Sequence, residues 1–222
     1  MMALSRYIFC DIDGTLLRAP GAGSSAFGAA FTEVFGVVPD MSKINFSGAT
    51  DLRVLAQLRR THQLGYDSAL EKLFFERLPF FLDRKMALDP PVVFPGVGSF
   101  LARVSNHWKL GLVTGNIKEC ALIKLRHAGL DSYFDDGIGG FGDDDGDRNR
   151  MAALALERAG NPSTVFLLGD TPSDIEAART NGMVSVAVCN GQFDRAALEA
   201  EGADLVVDSF EVADELFQAL EV

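Results

Sequence analysis

Short, almost continuous apolar runs recur along this chain: YIFC at residues 7–10, LGLV at 110–113, VFLL at 165–168, VSVAV at 184–188 and DLVV at 204–207. None approaches the roughly 18 apolar residues of a membrane span. None shows the in-out alternation of a strand with one wet face. Strands buried on both faces have this pattern, and both faces are covered when helices cross over a parallel sheet.

Helical patterns with recognisable ends lie between these runs. Asn116 is expected to cap a helix over 117–128 ahead of Gly129, and Asn149 one over 150–159 ahead of Gly160. Thr171 is expected to cap a third, with Pro172 at its first position and Gly182 beyond its end. The alternation predicts an α/β fold with a doubly wound, Rossmann-like parallel sheet.

From about residue 19 to 91 only helical patterns occur. Phe27, Ala30, Phe31, Val34 and Phe35 make one apolar face, and Leu52, Leu55 and Leu58 make another. Ser68-Ala-Leu-Glu71 reads as a capping box for a third helix, which Pro79 is expected to kink or break. The expected organisation is a core domain of residues 1–18 and 92–222 interrupted by an α-helical cap of residues 19–91.

Composition narrows the functional classes. Twenty Lys and Arg against 31 Asp and Glu give a net charge of −11, which repels nucleic acid. Four apolar residues before Asp11 are too few for a secretory core, and Cys10, Cys120 and Cys189 have no paired spacing. These features predict a cytoplasmic protein with reduced, buried thiols and no membrane or nucleic-acid partner; oligomeric state is left open.

The polar motifs gather at the ends of apolar runs. Asp11-Ile-Asp13 follows the first, Thr114-Gly-Asn116 the second and Gly169-Asp170-Thr-Pro-Ser-Asp174 a later one. In an open parallel sheet these ends share one edge. Asp11, Asp13, Asp170 and Asp174 together repel one another unless a cation sits among them, and hard oxygen ligands favour Mg²⁺. Thr114, Gly115 and Asn116, opening a helix, suit an anion. Cation, anion pocket and spare carboxylate suggest phosphoryl transfer to a carboxylate.

Asp11-x-Asp13-Gly14-Thr15-Leu16, Thr114-Gly115-Asn116 and Gly169-Asp170-Thr171-x-x-Asp174-x-x-Ala177-Ala178 closely resemble motifs I, II and IV of the haloacid dehalogenase superfamily. The helical insertion after the first motif resembles the cap of its phosphoglycolate-phosphatase-like branch. The resemblance implies that Asp11 is the nucleophile, forming an aspartyl-phosphate, and that Asp13 protonates the leaving alcohol and then activates water. It implies Mg²⁺ held by Asp11, the Asp13 backbone carbonyl and Asp170, with Asp174 as a direct ligand or behind the ligands. It further implies a small phosphorylated metabolite as substrate. A sugar phosphomutase, or a binding protein that keeps the fold without turnover, is the alternative.

The chain departs from the family at the third motif. A lysine is usual before the helix preceding motif IV, whereas Gly142-DDDGD-Arg148-Asn149-Arg150 contains none. Arg148 is expected to take its place against nucleophile and phosphate, with Arg150 as runner-up. The acidic run 143–147 lacks the glycine and glutamate of a calcium loop and reads as a solvated loop. The loop Ser47-Gly-Ala-Thr-Asp51 reads two ways, as substrate-selecting groups or as a helix cap by Thr50 or Asp51.

Overall fold

A computed structural model describes residues 6–134, 138–212 and 214–221. Residues 1–5, part of the N-terminal stretch read above, lie outside these. The chain begins with β1 (Arg6–Cys10) and β2 (Leu17–Arg18), passes through α1 (Ala22–Phe35), α2 (Asp51–Thr61) and α3 (Ser68–Leu88), and returns by β3 (Val92–Val93). Next come α4 (Val97–Val104), β4 (Lys109–Val113), α5 (Lys118–Ala128), β5 (Gly139–Gly140), α6 (Arg148–Arg158) and β6 (Thr164–Gly169). Finally α7 (Pro172–Thr180), β7 (Val184–Val188), α8 (Arg195–Ala200), β8 (Leu205–Val207) and α9 (Asp214–Leu220) complete it.

The six-stranded sheet has the order β5-β4-β1-β6-β7-β8, and its pairings are parallel. This is the doubly wound α/β fold that the apolar runs predict. Winding proceeds from β1 to β4 and β5, then reverses to β6, β7 and β8. Such a reversal opens a crevice at the carboxyl ends of the strands. Within β1, Ile8 and Cys10 join a core with Leu110, Leu112, Leu168 and Phe100, while Tyr7 and Phe9 join Val113, Leu167, Ala152 and Ala177 on the other face. Period-two alternation therefore buries both faces.

The segment between β2 and β3 leaves and returns through a two-stranded antiparallel neck, Leu17 opposite Val93 and Arg18 opposite Val92. Helices α1, α2 and α3 share an apolar core that includes Phe27, Phe31, Leu55, Phe74 and Leu78. Ile117, Cys120 and Ile123 join it, so the helical layer rests on α5.

Local ends differ from the sequence reading where another group competes for the same N–H. Helix α5 starts at Lys118, whose N–H donates to Asp143 Oδ1 at 3.0 Å, and Asn116 turns elsewhere. Helix α6 starts at Arg148 and is capped by Asp147, which accepts from Asn149 N–H at 2.9 Å; Asn149 is not the cap. Asp67, one residue before the expected box, caps α3, and Glu71 pairs with Arg59 at 2.9 Å instead.

Pro79 does not break α3. The helix runs through it because Phe74, Leu78, Leu82 and Met86 are buried along one stripe, and packing offsets the lost backbone bond. Thr171 and Pro172 open α7 as predicted. The acidic run is bonded rather than merely solvated: Asp143 and Asp147 serve helix ends, and Asp144 accepts two bonds from Arg158, each 2.6 Å. Cys10 and Cys120 are buried, but Cys189 is only partly so. Among the described residues no helix is long and apolar enough to cross a membrane.

Candidate active site

Three adjacent strands deliver the first polar groups. Asp11, Thr114 and Asp170 are each the first residue past β1, β4 and β6, and the central position of β1 puts Asp11 between the other two. The Asp11 N–H still bonds across the sheet to Leu168 O at 2.8 Å. All three residues are buried.

Asp174 reaches the same place from the first turn of α7. One oxygen, Oδ2, accepts from Thr171 N–H at 3.1 Å and from Thr171 Oγ1 at 2.6 Å. Its other oxygen has no aligned hydrogen-bond donor although it is buried. Carboxylate oxygens of Asp11, Asp170 and Asp174 lie within 4.8 Å of one another. Burial pushes the Asp11 carboxyl up to about 6, with Arg148 opposing and Asp174 and Asp13 adding to the rise. Burial, then the charges of Asp11 and Asp174, push Asp170 up to about 8, against a hydrogen bond from Thr15 Oγ1 at 3.1 Å.

Arg148 enters from the first residue of α6. Its Nη2 is 3.2 Å from Asp11 Oδ1, 2.5 Å from Asp174 Oδ1 and 3.1 Å from Val113 O. Two hydrogens on that nitrogen face three oxygens, which accounts for the unmatched Asp174 oxygen. Burial disfavours the guanidinium charge, but Asp174 and Asp11 more than offset it, so the Arg148 pKa is raised. Arg150, the runner-up, is exposed and lies 3.5 Å from Asp145, away from this cluster.

A divalent cation fits this donor set. The oxygens are hard and close together, and one lacks an aligned hydrogen-bond donor.

Asp13 and Lys124 form a second, separate charge pair. Gly14, with φ of +84°, makes the turn that carries Asp13 out of the strand line, and an added Cβ there would collide with the Asp170 carboxylate. Asp13 Oδ2 accepts from Asn116 Nδ2 at 2.8 Å and from Lys124 Nζ at 2.5 Å. Lys124 Nζ also donates to Asn116 Oδ1 at 2.7 Å. Thr114 Oγ1 accepts from Asn116 Nδ2 at 2.9 Å, which leaves the hydroxyl proton available to a ligand.

Lys124 was overlooked in the sequence. It falls on the buried side of α5, with Cys120 four residues before it and Ala121 three, and a lysine in that row was the available signal. Burial opposes the Lys124 charge; Asp13 restores it, and the pKa is raised.

The helical layer is fastened to the same loops. Asp51 N–H donates to Gly115 O at 2.8 Å, and Asp51 Oδ2 accepts from Ile117 N–H at 2.8 Å. Burial pushes the Asp51 carboxyl up to about 7, against that bond and the charge of Lys124. Thr50 caps α2, accepting from Arg53 N–H at 3.3 Å, so the capping reading holds for Thr50. Gly115 approaches Ala49 so closely that an added Cβ would overlap its carbonyl oxygen.

These groups line a cavity of about 530 Å³ between the sheet edge and the helical layer. Asp11, Asp13, Thr114, Asn116, Arg148 and Asp170 form its polar end. Ala26, Phe27, Phe46, Leu78 and Leu82 supply its apolar lining, beside Ser24, Ser47, Asn190 and Gln192.

Similarity to known proteins agrees with this arrangement. The model of the haloacid dehalogenase-like hydrolases matches residues 8–179, from the strand that carries Asp11 to the helix that carries Asp174, and a second hydrolase-like model matches 148–213. "Probable phosphatase IndB" of Dickeya dadantii is 27% identical over 91% of this chain and 89% of its own length. The phosphoglycolate phosphatase of Synechococcus elongatus is 32% identical over 53% of this chain and 55% of its own length. The crystal structure of β-phosphoglucomutase from Clostridium difficile superposes with a TM-score of 0.70 at 19% identity, covering 98% of this chain and 97% of that one, and so shares the fold. With the family match spanning three strand ends and the residues they carry, the chain belongs to the haloacid dehalogenase-like hydrolase family.

Proposed function

We propose that the protein is a Mg²⁺-dependent phosphatase of small phosphomonoesters, working through an aspartyl-phosphate on Asp11. The observation that carries this reading is the sorting of charge into two groups: Arg148 with the Asp11, Asp170 and Asp174 oxygens, and Asp13 with Lys124. Asp11, the Asp13 backbone carbonyl and Asp170 would hold Mg²⁺, with Asp174 as a direct ligand or behind the ligands, and the ion would offset the carboxylate and phosphate charge there.

Arg148 holds Asp11 with the phosphate, and Thr114, Gly115 and Asn116 hold the phosphoryl oxygens. Asp11 attacks phosphorus as the bond to the leaving oxygen breaks, and Asp13 gives that oxygen a proton. Asp13 then takes a proton from water, which attacks the phosphorus, releasing phosphate and restoring Asp11. Residues 19–91 act as a cap over a core of residues 1–18 and 92–222, excluding bulk water and selecting the alcohol. The names of the two curated relatives support the phosphatase reading. The thiols of Cys10 and Cys120, buried and unpaired, suit the reducing cytoplasm in which we place the protein.

Phosphate release from an aryl phosphate, with and without Mg²⁺ and in Asp11→Asn, tests the proposal. Metal-dependent release, lost in the variant, is the expected result. Full activity of Asp11→Asn refutes the mechanism. Isomerised sugar phosphate without free phosphate assigns a mutase instead, and no turnover on a broad panel of phosphate esters assigns a binding protein.

A further inference from the structure

The cavity described above is larger than a phosphate needs, and its remaining volume has a definite chemistry. Its size, about 530 Å³, falls in the range of sites that enclose whole small molecules. One wall is apolar, built from Ala26 and Phe27 of α1, Leu78 and Leu82 of α3, and Phe46 of the loop between α1 and α2, and the uncharged polar residues Ser24, Ser47, Asn190 and Gln192 also line the space. Phe46 meets Phe27 edge-on at 5.7 Å.

Charge inside the cavity argues against a second anion on the leaving group. Among the described lining residues, the buried cations are Arg148 and Lys124, and each is already paired, with Asp11 and Asp174 and with Asp13 respectively. Arg18 is exposed at the end of the β2 neck. Asp11, Asp13, Asp51 and Asp170 outnumber these three cations around the space. A carboxylate on the leaving group would have no buried unpaired partner and would meet Asp13 and Asp51. An uncharged apolar body instead gains by displacing water from Phe27, Phe46, Leu78 and Leu82.

Resting on the phosphatase reading, we infer that the substrate is the phosphate ester of an alcohol with an uncharged aromatic or branched apolar body, rather than of a small hydroxy acid. The helical layer thus selects by apolar contact, and the polar end supplies the chemistry.

Benzyl phosphate, ethyl phosphate and 2-phosphoglycolate provide the test, because benzyl and ethyl alcohols leave with comparable ease and differ in the body they bury. With Mg²⁺ present, kcat/KM for the benzyl ester is expected to exceed that for the ethyl ester by about ten- to a hundredfold, the gain expected from burying a ring. Phe46→Ser is expected to narrow that ratio several-fold, and Phe46 is only half-buried on a loop, so the fold should tolerate the change. Equal values for the two esters, or a preference for phosphoglycolate, overturn the inference while leaving the phosphatase reading intact.

If no ester turns over, calorimetric binding of benzylphosphonate against methylphosphonate decides independently. Tighter benzylphosphonate binding then upholds the pocket chemistry while the hydrolytic reading fails. Equal binding of the two, or none, overturns the inference.

Discussion

Lys124 Nζ lies 2.5 Å from Asp13 Oδ2 and 2.7 Å from Asn116 Oδ1, so one buried ammonium ties the outer acid of the site to the loop after β4. The bond also orients the Asn116 amide, whose oxygen faces Lys124 while its nitrogen faces Asp13 and Thr114. Replacing Lys124 by Met frees both partners at once. Turnover of an alkyl phosphate is expected to fall by about one to two orders of magnitude, part of what positioned acid–base groups supply. The stability loss is expected to stay near 1 kcal/mol, because the Asp13 side chain is 44% exposed and can be hydrated when unpaired. Steady-state kinetics beside urea denaturation separates these effects, and an unchanged kcat contradicts the positioning role.

Asp170 carries the opposite balance of stability and function. In the metal-free protein its charge is disfavoured by burial and by Asp11 and Asp174. Asp170→Asn is expected to raise metal-free stability at pH 8 by on the order of 1 kcal/mol, since the amide keeps an acceptor for Thr15 and removes a charge. The same variant should lose thermal protection by Mg²⁺. Differential scanning calorimetry with and without the ion measures both.

The pH dependence of stability follows from the same groups. Asp11 at about 6 and Asp170 at about 8 lie above the carboxyl value of 3.8 that an unfolded chain approaches, so between these values the folded state binds more protons. Stability of the metal-free protein therefore falls as pH rises from about 4 to about 8. With the proposed ligand set Mg²⁺ would compete with those protons, and its effect on Tm should be larger at pH 8 than at pH 5.5. An equal shift at both values argues against these carboxylates as its ligands.

Arg148 and Arg150 are two residues apart on α6, about 200° around the helix, and their environments differ accordingly. Arg148→Met leaves Asp11 and Asp174 without their buried partner and is expected to reduce kcat by at least a hundredfold, while Arg150→Met, with a side chain 75% exposed, should stay near the parent value. Arg148→Lys should recover part of the loss, because a lysine restores charge but not the fork. Parallel kinetics on the three variants is the measurement.

Gly115→Ala probes the fastening between helical layer and sheet. The new methyl group meets the Ala49 carbonyl, so Asp51 can no longer reach Gly115 O without a backbone shift. Activity should drop more than stability, with KM rising. Hydrogen exchange should show faster exchange at Asp51 and Ile117, two N–H groups of this junction.

Much of this was legible in the chain because strands and their ends are local signals. The runs at 7–10, 110–113 and 165–168 are apolar throughout, so their burial and the adjacency of Asp11, Thr114 and Asp170 follow once the sheet is parallel. Helix caps were less legible, since Asp67, Asp147 and Asp143 each displaced a neighbour with comparable capping ability, and which one wins depends on loop geometry. The Gly139–Gly140 strand has no side chains to announce it, and exists because it pairs with β4. Lys124 escaped notice because its role arises from Asp13, more than a hundred residues earlier, turning toward it. Pro79 does not end α3 for a related reason: packing of the helix against its neighbours outweighs the lost backbone bond.

The antiparallel neck, Leu17 against Val93 and Arg18 against Val92, places the exit and return of the helical segment on neighbouring strands, about 5 Å apart. A graft made at these two points does not have to span any distance on the parent scaffold. On the proposed division into cap and core, an exchange of the segment would leave sheet register alone but would have to rebuild the contacts to Gly115, Ile117 and α5, so reactivity and substrate choice would be inherited separately only where that junction is kept.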